Sequence, residues 1–281
     1  MLDYIVQISD LDNLSMIDDV FETVSVKNSC QSSRSCHYVP DKKLPEVIFY
    51  FCDLFKLAPE ASFFAIELFH EFTRKYIQQF SKQKDKMVSY CTKSTLYVLV
   101  CIQISSKMSS HYKAIPQRCV INHLNNMSIS RHRKIISKRE VITAELEILE
   151  TVNYDLNFLL PLDVIDIMLY FVQNWLKDNN PKALENCSHL KETCLSILEM
   201  VYLRQHQILV DFMKDVPHTD CNQIMLSIAV ICVAVFIVDD DLSEILAVFM
   251  AERCKIDHTV LLKLSVCIIE NIYNSNTNKL N

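Results

Sequence analysis

Among the 281 residues of this chain there is no glycine, and this absence constrains the fold more than any other feature. Glycine adopts positive φ at little cost, and average proteins contain about 7% of it. The glycine-rich loops that hold phosphates and the G-x-S-x-G nucleophile turn therefore cannot occur here. The sequence also lacks a convincing set of nucleophile, base and orienting residue, so the chain is predicted not to be an enzyme.

Apolar residues recur at helical spacing along most of the chain, and half of all residues are hydrophobic. No alternating strand pattern or hairpin turn competes, so the sequence predicts an all-α fold with a sizeable core. The helices separate into two sets of five, joined at residues 157–163, where Pro161 suits a first helical turn. The predicted helices span residues 43–57, 60–80, 91–108, 116–124 and 136–153, then 161–178, 187–204, 206–214, 221–238 and 242–272, the last breaking near 255–258.

Helix ends in a chain without glycine need another residue for the left-handed conformation. Asparagine tolerates this conformation better than most residues, because its short side chain forms local hydrogen bonds. We therefore expect helix ends at Asn153, at the pair Asn125 and Asn126, and at the pair Asn179 and Asn180.

Two charged residues lie on the apolar stripes of predicted helices, where a charge needs a partner. Lys107 ends the stripe that runs through residues 96–104, and Glu145 lies within the stripe of residues 141–152. They could pair with each other, with the backbone or with another protein. In the simplest interpretation, Lys107 only favours the negative end of its helix dipole and Glu145 only reaches into water. Glu147, two residues further on, is interpreted as an ordinary solvent-exposed charge.

The sequence around both residues resembles the cyclin box. Residues 95–107 are similar to its third helix, which ends in an Ala-Ser-Lys type of triplet, here Ser-Ser-Lys. Residues 143–156, followed by Pro-Leu-Asp, resemble the fifth helix, and residues 55–72 resemble the first two helices. In cyclins the matching lysine and glutamate contact the partner kinase. The resemblance therefore implies that Lys107 and Glu145 form a kinase-partner interface.

The same resemblance divides the chain into three parts and implies a cyclin-like fold of two five-helix repeats. Residues 1–42 are interpreted as a short flexible acidic tail and a linker rich in serine and cysteine. Residues 43–158 are predicted to form an N-terminal cyclin box, and residues 159–275 a second cyclin-like helical repeat.

Several positions depart from the pattern of conventional cell-cycle cyclins. Residues 40–44 replace the Met-Arg-Ala-Ile-Leu motif, and Val47 occupies the position of the tryptophan that helps to dock substrates. His70 and Glu71 stand where those cyclins carry an Asp-Arg pair, and the segment 73–90 is unusually long. With these departures, the chain resembles a divergent, meiotic branch of the cyclin family.

That branch acts in meiotic prophase, where it promotes the maturation of recombination intermediates into crossovers. The resemblance therefore implies a regulator in the nucleus, associated with chromosomes, whose partners are a cyclin-dependent protein kinase and meiotic recombination proteins. The alternative is a cyclin-fold adaptor or scaffold that recruits DNA-processing or transcription proteins without activating a kinase. No residue pattern indicates meiosis independently of the resemblance.

A basic cluster precedes the predicted helix of Glu145, although the formal net charge of −6 argues against general nucleic-acid binding. A solvated loop is the simplest interpretation of this cluster. Nuclear import, an acidic partner and the DNA backbone are the functional alternatives, so direct DNA binding is left open. The candidate basic contact patch consists of Arg131, Arg133, Lys134, Lys138 and Arg139.

Twelve cysteines raise the question of disulfides or a metal site. Most lie within apolar helical patterns and no C-x-x-C spacing occurs, so we expect small buried thiols. Cys30, Cys36 and His37 form the only tempting cluster, and no metal or cofactor is predicted. The longest apolar run, residues 224–238, is about 15 residues long and shorter than a typical membrane span. It is predicted to be the buried central helix of the second repeat, with no role for a membrane.

Overall fold

The computed structural model describes residues 43–109, 114–130, 135–179, 189–216 and 221–277. Within these ranges the chain forms ten α-helices and no strand, which confirms the all-α prediction. The helices are α1 (Leu44–Leu54), α2 (Pro59–Phe80), α3 (Lys84–Ser109), α4 (Gln117–Ser130), α5 (Lys138–Thr151), α6 (Pro161–Asn179), α7 (Leu190–Asp215), α8 (Gln223–Val238), α9 (Asp240–Arg253) and α10 (His258–Thr277). The chain divides between Phe158 and Leu159 into two compact units, the first containing α1–α5 and the second α6–α10.

Three helices end in Schellman motifs, although none has a glycine to supply the left-handed residue. Lys56, Asn153 and Lys255 have φ of 52°, 58° and 54° and follow α1, α5 and α9. At α5, the Asn153 N–H donates to the Glu150 carbonyl over 3.0 Å, and the next N–H donates to the Leu149 carbonyl over 2.7 Å. The same pair of bonds follows α1 and α9, so terminal carbonyls are satisfied in each case.

The expectation that asparagines end the helices is confirmed at Asn153 and wrong at Asn125 and Asn126, which both lie inside α4. Asn125 lies inside α4, where its side-chain oxygen accepts from the Ile136 N–H over 2.7 Å and its amide donates to the Ile136 carbonyl over 3.2 Å. It therefore joins α4 to the segment before α5. α6 ends at Asn179, whereas Asn180 lies outside the described residues.

In the first unit, α3 runs between α2 and α5 and is buried on nearly every side from Leu96 to Ser106. A helix that is buried all round belongs in a core, and here four aromatic rings of α2 and α3 pack against one another along its first half. These rings belong to Phe72, Tyr76, Tyr90 and Tyr97. By length and composition alone α3 could also cross a membrane, but half of its most apolar stretch is buried within the protein.

In the second unit, α8 is the central helix and contacts α6, α7, α9 and α10. Every residue from Ile224 to Val235 is buried, as the sequence predicts, whereas Phe236 and Ile237 at the end of the helix are exposed. The Ser227 hydroxyl, buried in this apolar helix, donates to the Pro161 carbonyl over 3.0 Å. That bond connects α8 to the first turn of α6.

Further predicted helix boundaries are wrong, whereas the break near residues 255–258 is confirmed. α3 begins at Lys84 instead of residue 91, because its polar first turns are held by tertiary contacts. The Tyr76 hydroxyl donates to the Lys86 carbonyl over 3.4 Å, for example. The predicted helices 187–204 and 206–214 are one helix, α7. Val201 and Ile208 are both buried, and Gln205 lies between them on the same face of the helix, so the buried stripe continues past residue 205.

Candidate functional site

The fifth helix begins at a capping box, which the sequence Ser-Lys-Arg-Glu encodes. The Ser137 N–H donates to the Glu140 carboxylate over 2.8 Å, and the Glu140 N–H donates to the Ser137 hydroxyl over 3.3 Å. These reciprocal bonds satisfy orphan donors of the first turn. From there Val141, Ala144 and Ile148 form the buried stripe, at spacings of three and four residues.

The last turn of α3 is held firmly enough to place the lysine that follows. The Ser106 hydroxyl accepts from the Ile115 N–H over 2.9 Å and donates to the Gln103 carbonyl over 2.7 Å. The Gln103 amide donates to the Ile115 carbonyl over 3.5 Å. Both side chains are buried, so the end of α3 is tied to the segment that leads into α4.

Lys107 and Glu145 form a direct ion pair, in which the Lys107 ammonium donates to the Glu145 carboxylate. The side chain of Lys107 is 41% exposed and that of Glu145 is 18% exposed. The predicted proximity of the two residues on the first repeat is therefore confirmed, and the interpretation of two unrelated charges is wrong. Their role towards a kinase stays a prediction. A partly exposed pair of this kind contributes only about 1 kcal/mol to stability, so its presence is not explained by folding alone.

Exposed apolar side chains neighbour both members of the ion pair along α3 and α5. Ile142 and Leu146 of α5 are 45% and 47% exposed, and Met108, next to Lys107 on α3, is 52% exposed. A group of exposed apolar side chains of this kind is typical of a protein contact. We call Lys107, Met108, Ile142, Glu145 and Leu146 the α3–α5 surface. Ile142 and Leu146 were not predicted from the sequence. The available signal was that these two apolar residues lie four positions apart and outside the buried stripe of α5, which is typical of an exposed apolar ridge.

Glu147 is not the solvent-exposed charge that the sequence suggested. The Tyr97 hydroxyl donates to its carboxylate over 2.8 Å, and Tyr97 itself is completely buried. Burial first, and then this hydrogen bond, raise the pKa of Tyr97 far above its ordinary value. Burial first, and then the negative charge of Glu147, also raise the pKa of Tyr76. Glu147 therefore links α5 to the aromatic core of α2 and α3.

Glu71, one of the two residues that depart from the usual cyclin pattern at positions 70 and 71, organises a partly buried charge cluster. Arg74 binds the Glu71 carboxylate through two hydrogen bonds of 2.8 and 2.9 Å, and the Lys75 ammonium lies 3.3 Å from it. Burial alone would raise the pKa of Glu71, but Arg74 and Lys75 together lower it below its ordinary value. Lys75 also donates to the Val152 carbonyl over 3.1 Å, which ties α2 to the end of α5.

Only part of the candidate basic patch lies within the described residues. Lys138 and Arg139 are exposed in the first turn of α5. Cations are unfavourable at this positive end of the helix dipole, so helix stability does not account for them. Arg131, Arg133 and Lys134 lie outside the described residues.

No metal site occurs in the part of the chain that the structure describes. There, no three or more His, Cys, Asp or Glu side chains come close enough to hold an ion. Cys52, Cys101 and Cys194 are buried free thiols, and burial raises the pKa of Cys52 to about 11. Thiols of this kind are unreactive members of the core. The cluster of Cys30, Cys36 and His37 falls outside the described ranges.

Comparison with known proteins identifies the first part of the chain. Residues 19–157 match the family described as Cyclin, N-terminal domain. Two relatives, both described as Cyclin N-terminal domain-containing protein 1, come from Mus musculus and Homo sapiens. Each is 24% identical over 186 residues, an alignment that covers 60% of this chain and 52% of the relative. The chain thus spans about half the length of the curated relatives that it matches.

Proposed function

The chain belongs to the cyclin family, and we propose that it is a non-enzymatic regulator that binds a cyclin-dependent protein kinase through the α3–α5 surface. The ion pair between Lys107 and Glu145, set among exposed apolar side chains, is the observation that carries this proposal. Kinase binding would also explain why an ion pair that contributes little to folding stability lies where two core helices meet.

The composition of the α3–α5 surface favours an amphipathic helix as the element that it binds. Ile142 and Leu146 lie one turn apart on α5, so they offer a short apolar ridge to a partner helix. Lys107 and Glu145 lie beside this ridge with unused hydrogen-bonding capacity, because each ionised side chain can form more than one hydrogen bond. A partner that covers the ridge would desolvate the pair and strengthen its interaction with polar groups of the partner.

The biological setting that we propose is meiotic recombination in the nucleus, with the protein associated with chromosomes. The likeness to the two proteins described as Cyclin N-terminal domain-containing protein 1 supports this setting. It agrees with the resemblance of the sequence to a divergent branch of the cyclins that acts in meiosis. In this proposal the protein promotes crossover maturation, and its partners are a cyclin-dependent kinase and meiotic recombination proteins.

Kinase binding is tested by titrating the purified chain with purified, cyclin-free cyclin-dependent kinases, one at a time. Removal of one member of a desolvated charge pair at an interface costs about 2–5 kcal/mol, so we expect Lys107→Ala and Glu145→Ala to weaken binding at least about tenfold. The matched control is Glu150→Ala, which removes an exposed glutamate from the same helix. Equal binding by the Glu145 and Glu150 variants, or no binding of any kinase by the parent chain, would overturn the proposal.

The meiotic setting is tested by affinity purification of the chain from meiotic tissue, followed by mass spectrometry. Recovery of a cyclin-dependent kinase together with recombination proteins is the expected result. Recovery of DNA-processing proteins without a kinase would favour the alternative, an adaptor or scaffold on a cyclin fold. The exposed Lys138 and Arg139, at an end of α5 where cations do not stabilise the helix, are the observation that favours this alternative.

A further inference from the structure

Two carboxylates on opposite flanks of α5 are each held by a side chain of α3. Glu145 pairs with Lys107, and Glu147 accepts from the Tyr97 hydroxyl over 2.8 Å. Residues two apart in a helix are separated by about 200° around its axis. The buried stripe of α5, which includes Ile148, lies between the two contacts. Rotation of α5 about its own axis would therefore break at least one of them.

The hydroxyl that binds Glu147 has a fixed position in the core. The Tyr97 ring lies 4.9 Å from the Phe72 ring and 5.9 Å from the Tyr90 ring, measured between centroids. Tyr90 is held in turn by a hydrogen bond of 2.8 Å between its hydroxyl and that of Thr73. Well-packed aromatic rings of this kind have few alternative rotamers, so Tyr97 offers a rigid anchor to α5.

The two contacts differ in how readily they open. The ion pair is partly exposed, so water can replace either partner at little cost. The Tyr97 side chain is completely buried, and without Glu147 its hydroxyl would lose the acceptor that the structure shows for it. The contact at Glu147 is therefore the one that resists rotation of α5.

We propose that Glu147 is a positioning residue for the α3–α5 surface: anchored to Tyr97, it sets the rotation of α5 that presents Glu145 beside Lys107. This inference rests on the proposed kinase binding and adds the residue that keeps the surface ready for a partner. Pre-organisation of this kind improves affinity because the free protein has less order to gain on binding.

The first test compares Glu147→Gln with Glu147→Ala in the full chain, by titration with a purified cyclin-dependent kinase. Glutamine keeps an oxygen that accepts from Tyr97, so we expect binding within about twofold of the parent. Alanine removes the acceptor and is expected to weaken binding about tenfold at a temperature where the variant is still folded. Glu150→Ala again serves as the control. Equal loss in the glutamine and alanine variants would overturn the proposal.

A double-mutant cycle separates positioning from a purely structural role. If Glu147 acts by placing Glu145, then Glu147→Ala should cost about threefold or less once Glu145→Ala is already present, compared with about tenfold alone. Equal costs in both backgrounds would show that Glu147 acts independently of Glu145, and the inference would fall. If Glu145→Ala itself leaves binding unchanged, the proposed function fails instead.

A measurement on the free chain tests the anchor without any kinase. Hydrogen–deuterium exchange over residues 138–151 should be faster in Glu147→Ala than in the parent, because α5 gains rotational freedom. In Glu147→Gln it should match the parent. Unchanged exchange in the alanine variant would mean that Glu147 does not restrain α5.

Discussion

At the scale of single residues, two glutamates of α5 have different surroundings although only one residue separates them. Glu145 is at the surface beside Lys107, and Glu147 reaches a buried tyrosine. The proposed function therefore depends on Glu145 through direct binding, whereas Glu147 supports binding by positioning α5 and also contributes to the stability of the first unit. The two effects can be measured separately.

We predict that Glu147→Ala lowers the free energy of unfolding by about 1–3 kcal/mol, since it leaves the buried Tyr97 hydroxyl without an acceptor. Lys107→Ala should lower it by less than about 1 kcal/mol, because the ion pair is partly exposed. Urea unfolding followed by circular dichroism measures both values. A larger loss for Lys107→Ala than for Glu147→Ala would contradict the assignment of surface and core roles.

Stability should also depend on pH through His70. Burial lowers the pKa of His70 from its ordinary 6.5 to about 4, and its Nε2 atom is buried without a hydrogen bond. The unfolded chain binds this proton more readily, so stability falls as the pH decreases from about 6.5 towards 4. We expect a loss of about 1–2 kcal/mol between pH 7 and pH 5 that is absent in His70→Gln. His189→Gln, which changes an exposed histidine, is the control and should keep the loss.

At the scale of helices, this chain builds Schellman motifs with lysine and asparagine in place of glycine. A left-handed residue with a Cβ atom costs roughly 1–2 kcal/mol, and glycine avoids that cost. Lys56 and Lys255 therefore each store local strain at a helix end. The strain is accepted because the motif satisfies carbonyls that the helix would otherwise leave unpaired.

We predict that Lys56→Gly stabilises the protein by about 0.5–1 kcal/mol, the difference between relieved strain and the greater chain entropy of glycine in the unfolded state. The matched control is Lys93→Gly in the exposed interior of α3, which should destabilise by about 1 kcal/mol. Thermal unfolding of the two variants measures both effects. Destabilisation by Lys56→Gly would show that the left-handed lysine has a favourable contact that outweighs its strain.

At the scale of the whole molecule, the chain is a cyclin-family protein in which each unit has its own core. The first unit surrounds α3 and bears the α3–α5 surface, and the second surrounds α8. A regulator that works by contact needs such rigid surfaces and no catalytic group. The proposed kinase should then protect one surface and leave the core of the other unit unaffected.

We predict that addition of a bound cyclin-dependent kinase slows hydrogen–deuterium exchange at residues 104–109 and 138–151. These segments contain the last turn of α3 and the whole of α5, which the partner would cover. Exchange within α8 should not change, since residues 224–235 are already buried. Protection found only within α6–α10 would place the partner on a different surface.

The sequence alone determined the helical class, the burial of residues 224–235 and the helix break near residues 255–258. These features depend on periodicity and on the absence of glycine, which act over a few residues at a time. The likeness to cyclins also located Lys107 and Glu145, because their positions within the box could be matched by motif.

The tertiary structure alone decided which charges are surface groups and which are anchors. Tyr97 lies 50 residues before Glu147, and Lys75 lies 77 residues before the carbonyl of Val152 that it binds. Neither contact has a signature in local spacing, because each depends on how α5 is placed against α2 and α3. For the same reason the sequence predicted two helices, 187–204 and 206–214, where buried residues on both sides of residue 205 belong to one continuous helix, α7.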